Sequence, residues 1–227
     1  MIPLSPRLRA CASLVTGDAV CDIGTDHAYL PAFLVTSGKC SRAVATDIKE
    51  GPLESARGTL KRYNAAKQVT LVLSDGFDKV STKGITDAVI AGLGGESIRD
   101  ILAAKSAGFL KTGVNLVLQP MSKAEVLRAW LAENGFVTDK ELAVKDAHLY
   151  TVMQVHYTGE KRTLTPAQSY IGRLRRSDPL TRAYMAVVLD RLHTRAHGLD
   201  DAGQADAAAA VRAIIRDINT WMAGGTL

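Results

Sequence analysis

The segment Val20-Cys21-Asp22-Ile23-Gly24-Thr25-Asp26-His27-Ala28-Tyr29-Leu30-Pro31 constrains the fold more than any other stretch of this chain. An apolar run ends in an acidic residue, turns on one glycine and re-enters a helical pattern, which reads as the end of a first parallel strand. Three later strand ends carry the same kind of residue: Thr46-Asp47, Ser74-Asp75-Gly76 and Gly92-Leu93-Gly94-Gly95. Open α/β sheets take their ligands outside the carboxyl ends of the strands. One such turn says little. Four at successive strand ends predict a cofactor cleft.

Around these turns strands and helices alternate. Leu4–Val15 reads as a short amphipathic helix, followed by strand Ala19–Ile23 and a helix from Asp26 to Ser37 closed by Gly38. Next come strand Arg42–Thr46, a helix from Gly51-Pro52 to Tyr63, and strands Gln68–Ser74 and Thr86–Ala91. A helix over Gly95–Lys105, strand Asn115–Gln119 and helix Lys123–Asn134 follow. Phe136–Val144 and Leu149–Tyr157 are strand-like with only four residues between them, so they predict a hairpin. Five strand–helix units and then an antiparallel pair is the order of the methyltransferase variant of the doubly wound sheet; a dinucleotide dehydrogenase continues with strand–helix units.

Strand signals stop after Thr158-Gly159-Glu160. Met185, Leu189, Leu192, Ala196 and Leu199 repeat at spacings of four and three, as do Ala207, Val211, Ile214, Ile218 and Trp221, with a turn over Gly198–Gly203. Two such stripes predict an antiparallel helical hairpin. The expected division is a core over 1–158 and a helical unit over 159–227.

No apolar run reaches the ~20 residues of a membrane helix. The prolines and the lack of a cleavage signature near the N-terminus argue against a signal peptide, so a cytoplasmic location is expected. Cys11, Cys21 and Cys40 are odd in number, share no C-x-x-C spacing and sit in apolar stretches, as reduced buried thiols do. Residues 1–157 hold 18 basic and 16 acidic side chains, and residues 158–227 hold 10 and 7. Between Lys161 and Arg182 six cations, Arg173, Arg175 and Arg176 among them, accompany one anion, Asp178. That density suits either a phosphate backbone or a solvated helix face.

Asp47 stands where a carboxylate accepts both hydroxyls of a ribose, and Asp75-Gly76 where an adenine amine is received. The first turn has only Gly24 of the G-x-G-x-x-G set, and Asp26 would repel a diphosphate. A cofactor with an amino-acid tail and a sulfonium tolerates carboxylates, so S-adenosylmethionine is expected and NAD is not. Asp26-His27 is the candidate for work on the substrate, although Asp26 also suits an N-cap. Gly92–Gly95 would let backbone pass close to a flat group, and Gln119-Pro120 would border it. Tyr63, Trp130 and Trp221 read as packing residues. His193 and His197 have helical metal-site spacing, but no carboxylate or thiol completes a set, and no metal is expected.

These residues carry a resemblance. Leu4-Ser5-Pro6-Arg7-Leu8, Asp22–Pro31, Glu50-Gly51-Pro52, Ala91–Gly95, Leu118-Gln119-Pro120, Leu127–Gly135 and Leu149-Tyr150 together resemble the bacterial tRNA (adenine-22-N1)-methyltransferases, over about residues 4–157. The resemblance implies a Rossmann-like class I methyltransferase domain with a C-terminal two-helix domain, S-adenosylmethionine as donor and tRNA as acceptor. It implies a cofactor site of Asp22, Gly24, Asp26, His27, Asp47, Asp75, Gly76 and Gly92. Substrate contacts would come from Arg7, Tyr29, Gly94, Gln119, Pro120, Arg173, Arg175 and Arg176, with Asp26 and His27 catalytic. The family has Ser, Glu and Asn where Thr25, Asp47 and Met121 stand here. A monomer without an obligate protein partner is expected. Two other readings stay open at this point: a small-molecule methyltransferase with a helical lid, and a non-catalytic RNA-binding protein.

Overall fold

In a computed structural model that describes residues 2–226, β1 (Ala19–Ile23) is buried along its whole length. A parallel strand with neighbours on both edges and helices on both faces has to be. It pairs in parallel with β2 (Arg42–Asp47) on one side and β4 (Asp87–Gly94) on the other. β3 (Val69–Leu73) and β5 (Asn115–Ser122) extend the two flanks. The hairpin of β6 (Phe136–Lys145) and β7 (Leu149–Tyr157) closes the sheet with β7 antiparallel to β5, giving the order 3-2-1-4-5-7-6.

Side-chain alternation decides which helix covers which face. Val20, Val89 and Val117 point to the layer of α1 (Pro6–Leu14), α2 (Tyr29–Thr36) and α3 (Glu50–Arg62). Cys21, Ile23, Ile90, Leu116 and Leu118 point to α4 (Gly95–Ala103), a 3-10 stretch over Lys105–Thr112, and α5 (Ala124–Glu133). Ser5 caps α1 by accepting from the Leu8 amide, and Pro6 opens the helix without losing a needed donor.

At the sheet end opposite the predicted cleft, the buried carboxylate of Asp87 takes five donors: the Thr16 amide at 2.8 Å and hydroxyl at 3.4 Å, the Gly17 amide at 2.7 Å, Asn115 Nδ2 at 2.6 Å and Thr86 Oγ1 at 2.9 Å. A buried carboxylate is tolerable only when its lone pairs are filled in this way.

The tail comprises α6 (Pro166–Ile171), α7 (Pro179–Asp201) and α8 (Ala205–Met222). Met185, Val188, Leu192 and Ala196 of α7 meet Val211, Ile215 and Ile218 of α8, with Ile171 and Leu174 at one end. Several details differ from the sequence reading: Val188 and Ile215 are buried in the stripe, with the expected Leu189 and Ile214 only partly buried beside them. Ala208, not the exposed Ala207, enters the stripe, and the turn is confined to residues 202–204 because α7 runs on through Gly198. The Lys161–Arg182 stretch is also not one helix face: it is a loop, the short α6, a turn and the start of α7.

A buried ion pair binds this tail to the core. Arg128 on α5 meets Glu141 on β6 at 2.6 Å, and its Nη1 donates to the carbonyls of Ser169 at 2.7 Å and Tyr170 at 3.0 Å on α6. Glu141 also accepts from the Arg173 amide at 2.9 Å. The guanidinium is thus satisfied only when α6 is docked.

Candidate active site

A cleft of about 420 Å³ lies at the carboxyl ends of β1, β2, β3 and β4, lined from those strands by Asp22, Gly24, Asp47, Asp75, Gly76 and Gly92. All eight residues expected to hold the cofactor line it, as do Arg7 and Tyr29.

Gly24 adopts φ +73, a left-handed conformation that a side chain would strain. Beyond it the expected helix start is corrected: Asp26 and Ala28 are themselves left-handed at φ 51 and φ 54, and α2 begins only at Tyr29. Asp26 therefore caps no helix. The cap residue of α2 is Ala28, which has no side-chain bond to offer. The double left-handed turn holds Asp26 and His27 out over the cleft, both exposed, with His27 Nε2 3.6 Å from Asp26 Oδ2.

Asp47 ends β2 and accepts from the Lys49 amide at 3.0 Å on one oxygen and the Asp26 amide at 3.3 Å on the other. Each oxygen keeps a lone pair free, which is what two vicinal ribose hydroxyls need. Asp75 stands exposed at the end of β3, its turn fixed by the buried Ser74 hydroxyl, which donates to the Gly76 carbonyl at 3.1 Å. Asp22 forms the floor. It accepts from the Thr25 hydroxyl at 2.6 Å, and burial pushes its carboxyl up to about 6; the Thr25 bond lowers it, and the Asp47 carboxylate raises it further.

Sequence reasoning missed the apolar wall. Ile48 is 61% exposed at the cleft edge, directly after Asp47, and Leu93 and Ile101 complete the wall. The signal was there: an apolar residue just past a strand-terminal carboxylate has no core left to enter, so it faces whatever flat group the carboxylate holds.

The glycine run is also corrected. β4 continues through Gly94 with a register shift between Ala91 and Leu93, so these residues are a bulged strand end, not a loop. Of its three glycines only Gly92, at φ +84, lines the cleft, beside Leu93; a Cβ on Gly92 would sit 3.2 Å from the Arg7 guanidinium. Gly95 is required by packing, because its Cβ would fall 2.3 Å from the Lys123 carbonyl, and Gly94 stands beside Ser122 outside the cleft. Gln119 does not border an open pocket either. It is fully buried within β5, and its Oε1 accepts from Arg7 Nη1 at 3.0 Å and the Gly92 amide at 3.1 Å. Gln119 thereby fixes Arg7 over Gly92. Pro120 follows it in the strand and faces a different cleft, beside α7.

Of the cations in the tail, Arg173 donates to the Thr138 carbonyl and Arg176 to the carbonyls of Trp221 and Gly225, where a cation also suits the end of α8. Lys161, Arg162 and Arg175 are exposed. His193 and His197 are exposed on α7, and no group of metal-binding side chains occurs among the described residues. The thiols of Cys11, Cys21 and Cys40 are buried and free; desolvation pushes Cys11 up to about 12, so it stays protonated. No described helix is long and apolar enough to cross a membrane.

Comparison with known proteins agrees with this geometry. Residues 4–153 match the family model described as "Methyltransferase domain". A Bacillus subtilis protein named tRNA (adenine(22)-N(1))-methyltransferase is 35% identical over 155 residues, 67% of this chain; the match takes in 64% of that relative's length. The crystal structure of a Streptococcus agalactiae protein of the NADB-Rossmann superfamily superposes with a TM-score of 0.85 at 28% identity, covering 97% of both chains. Streptococcus pneumoniae Sp1610, solved in complex with S-adenosyl-L-methionine, gives 0.80 at 26% identity over 95% of this chain and 99% of that one. The chain belongs to the methyltransferase-domain family.

Proposed function

We propose that this chain transfers the methyl group of S-adenosylmethionine to N1 of an adenine in tRNA, adenine 22 by its kinship with the Bacillus subtilis enzyme. The observation that carries the reading is a cleft lined by carboxylates where a dinucleotide site would present backbone amides. Asp22, Asp47 and Asp75 converge there from three successive strand ends. A cationic donor with a ribose fits that charge, and a pyrophosphate does not.

In this reading Asp47 holds the ribose hydroxyls, Ile48 covers the adenine ring of the donor, Asp75 with Gly76 receives its amine, and Asp22 faces the amino-acid tail. Bound there, the donor supplies an electrophilic sulfonium methyl. The chain's own residues form no bond: they position the acceptor base and receive its charge. As the N1 lone pair becomes an N–C bond, the methyl–sulfur bond would break and leave its electron pair on the departing thioether; the exocyclic amino group turns acidic, and Asp26 or His27 orients that group and takes its proton. Arg7 and Tyr29 stand beside the opening, Arg7 held by Gln119. The target base has to leave the RNA stack to reach this point, at about a few kcal/mol.

The division into a core over 1–158 and a helical unit over 159–227 belongs to the same proposal, with exposed Lys161, Arg162 and Arg175 meeting the tRNA backbone. A cytoplasmic monomer is part of it too. Incubation with isotopically methyl-labelled S-adenosylmethionine tests the reading. Label should enter RNase-sensitive material when tRNA is the acceptor. Label that enters only small molecules supports the lid reading instead.

A further inference from the structure

A second cleft, also about 420 Å³, opens between the end of β5 and α7. Pro120 and Met121 of β5 and Tyr150 of β7 form one side; Tyr170 of α6 and Arg191 and Arg195 of α7 form the other. The two arginines are four residues apart and so share one face of the helix. Both are exposed, and neither makes an ion pair among the described residues. Glu125 shares the cleft, while Lys123 is already held by Glu96. The lining therefore keeps a positive excess beside aromatic rings. Base stacking on tyrosine with cations along the backbone is how single-stranded nucleic acid is held.

Its position gives the occupant. Leu93 of β4 lines the first cleft and is in register with Pro120, which lines the second. The clefts thus open from adjacent strands, whose paired backbones stand roughly 5 Å apart. A splayed RNA strand can place neighbouring bases on either side of such a strand pair.

We propose that the cleft between β5 and α7 binds an unstacked nucleotide of the RNA next to the methylated adenine, its base against Tyr170 and its phosphate at Arg191 and Arg195. The idea rests on the tRNA reading above. It makes the tail part of substrate selection: the loop of RNA that enters must offer two adjacent bases that can both be splayed.

The test is steady-state methylation of a tRNA transcript by the full chain carrying Arg191→Gln with Arg195→Gln, against a charge-matched control of Lys67→Gln with Arg216→Gln, both exposed and outside both clefts. The arginine pair should raise KM for tRNA about tenfold over the control, with kcat and S-adenosylmethionine affinity within twofold, and make the logarithmic salt slope shallower by about one to two. Tyr170→Ala should raise KM by about tenfold and Tyr170→Phe should restore it, because the ring and not the hydroxyl stacks. Equal KM in pair and control overturns the proposal. A collapse of kcat at unchanged KM also overturns it, since the cleft would then serve the reacting base. If the wild-type chain transfers no methyl to tRNA, the tRNA reading fails and takes this occupant with it. Wild-type transfer with indifferent variants strikes the second cleft alone.

Discussion

Asp22 should make donor binding depend on pH between 5 and 7. In the free protein its buried carboxyl is pushed up to about 6, with the Thr25 hydroxyl as its one side-chain hydrogen bond. A cationic ligand binds the ionised form, so below pH 6 binding has to remove a proton. With a bound-state value at or below the ordinary carboxylate value of ~4, the apparent Kd scales as about 1 + 10^(6−pH), a loss of about tenfold, or ~1.4 kcal/mol, from pH 7 to pH 5. The same group acts on stability in the opposite direction. Its folded value lies above its unfolded one, so its contribution is complete below about pH 4 and is lost as pH rises through 6. Isothermal titration with S-adenosylmethionine across this range, in two buffers of different ionisation enthalpy, reads both the affinity and the proton released. Asp22→Asn should flatten the curve and abolish the proton release. A wild-type curve that is flat, or a slope that survives in Asp22→Asn, refutes the reasoning and removes Asp22 as the source of the pH dependence.

Asp47→Ala removes two charge-assisted acceptors worth about 1.5–3 kcal/mol each, and should weaken donor binding at least tenfold by titration while circular dichroism stays unchanged. Asp26→Asn should cut kcat with donor Kd within a few-fold; a collapse of donor binding would move Asp26 into the cofactor's own contacts. His27→Ala should lower the rate without lowering Tm, since its side chain is half exposed. Arg128→Met leaves Glu141 buried without its partner and should cost about 3–5 kcal/mol in chemical denaturation. Gly172→Ala should also destabilise, because a Cβ there falls 2.2 Å from Glu141 Oε2 and 2.5 Å from Arg128 Nε.

The layered sheet was legible because its signals are local. Gly24 after Cys21-Asp22-Ile23 marks a strand end, and Lys145–His148 is too short for a helix, so the hairpin follows. The carboxylates at strand ends were legible for the same reason: topology alone brings Asp22, Asp47 and Asp75 to one edge. What was not legible depends on partners distant in sequence. Nothing near Gln119 announces that it is sealed beneath Arg7, 112 positions away. Nothing near Gly95 reveals the Lys123 carbonyl against it, which is why a packing glycine read as part of the binding turn. The left-handed pair Asp26 and Ala28 defeated the helix-cap reading because both are ordinary residues in an uncommon conformation. The Arg128–Glu141 pair joins α5, β6 and α6, and no single helix pattern contains it.

The most direct test of the account is mass spectrometry of tRNA fragments after incubation with this protein and S-adenosylmethionine, using one transcript with adenine at position 22 and one with guanine there. The account predicts a single 1-methyladenosine at position 22 of the first transcript and no methylation of the second. Methylation that persists in the guanine transcript, or appears at a different atom or nucleotide, would contradict it.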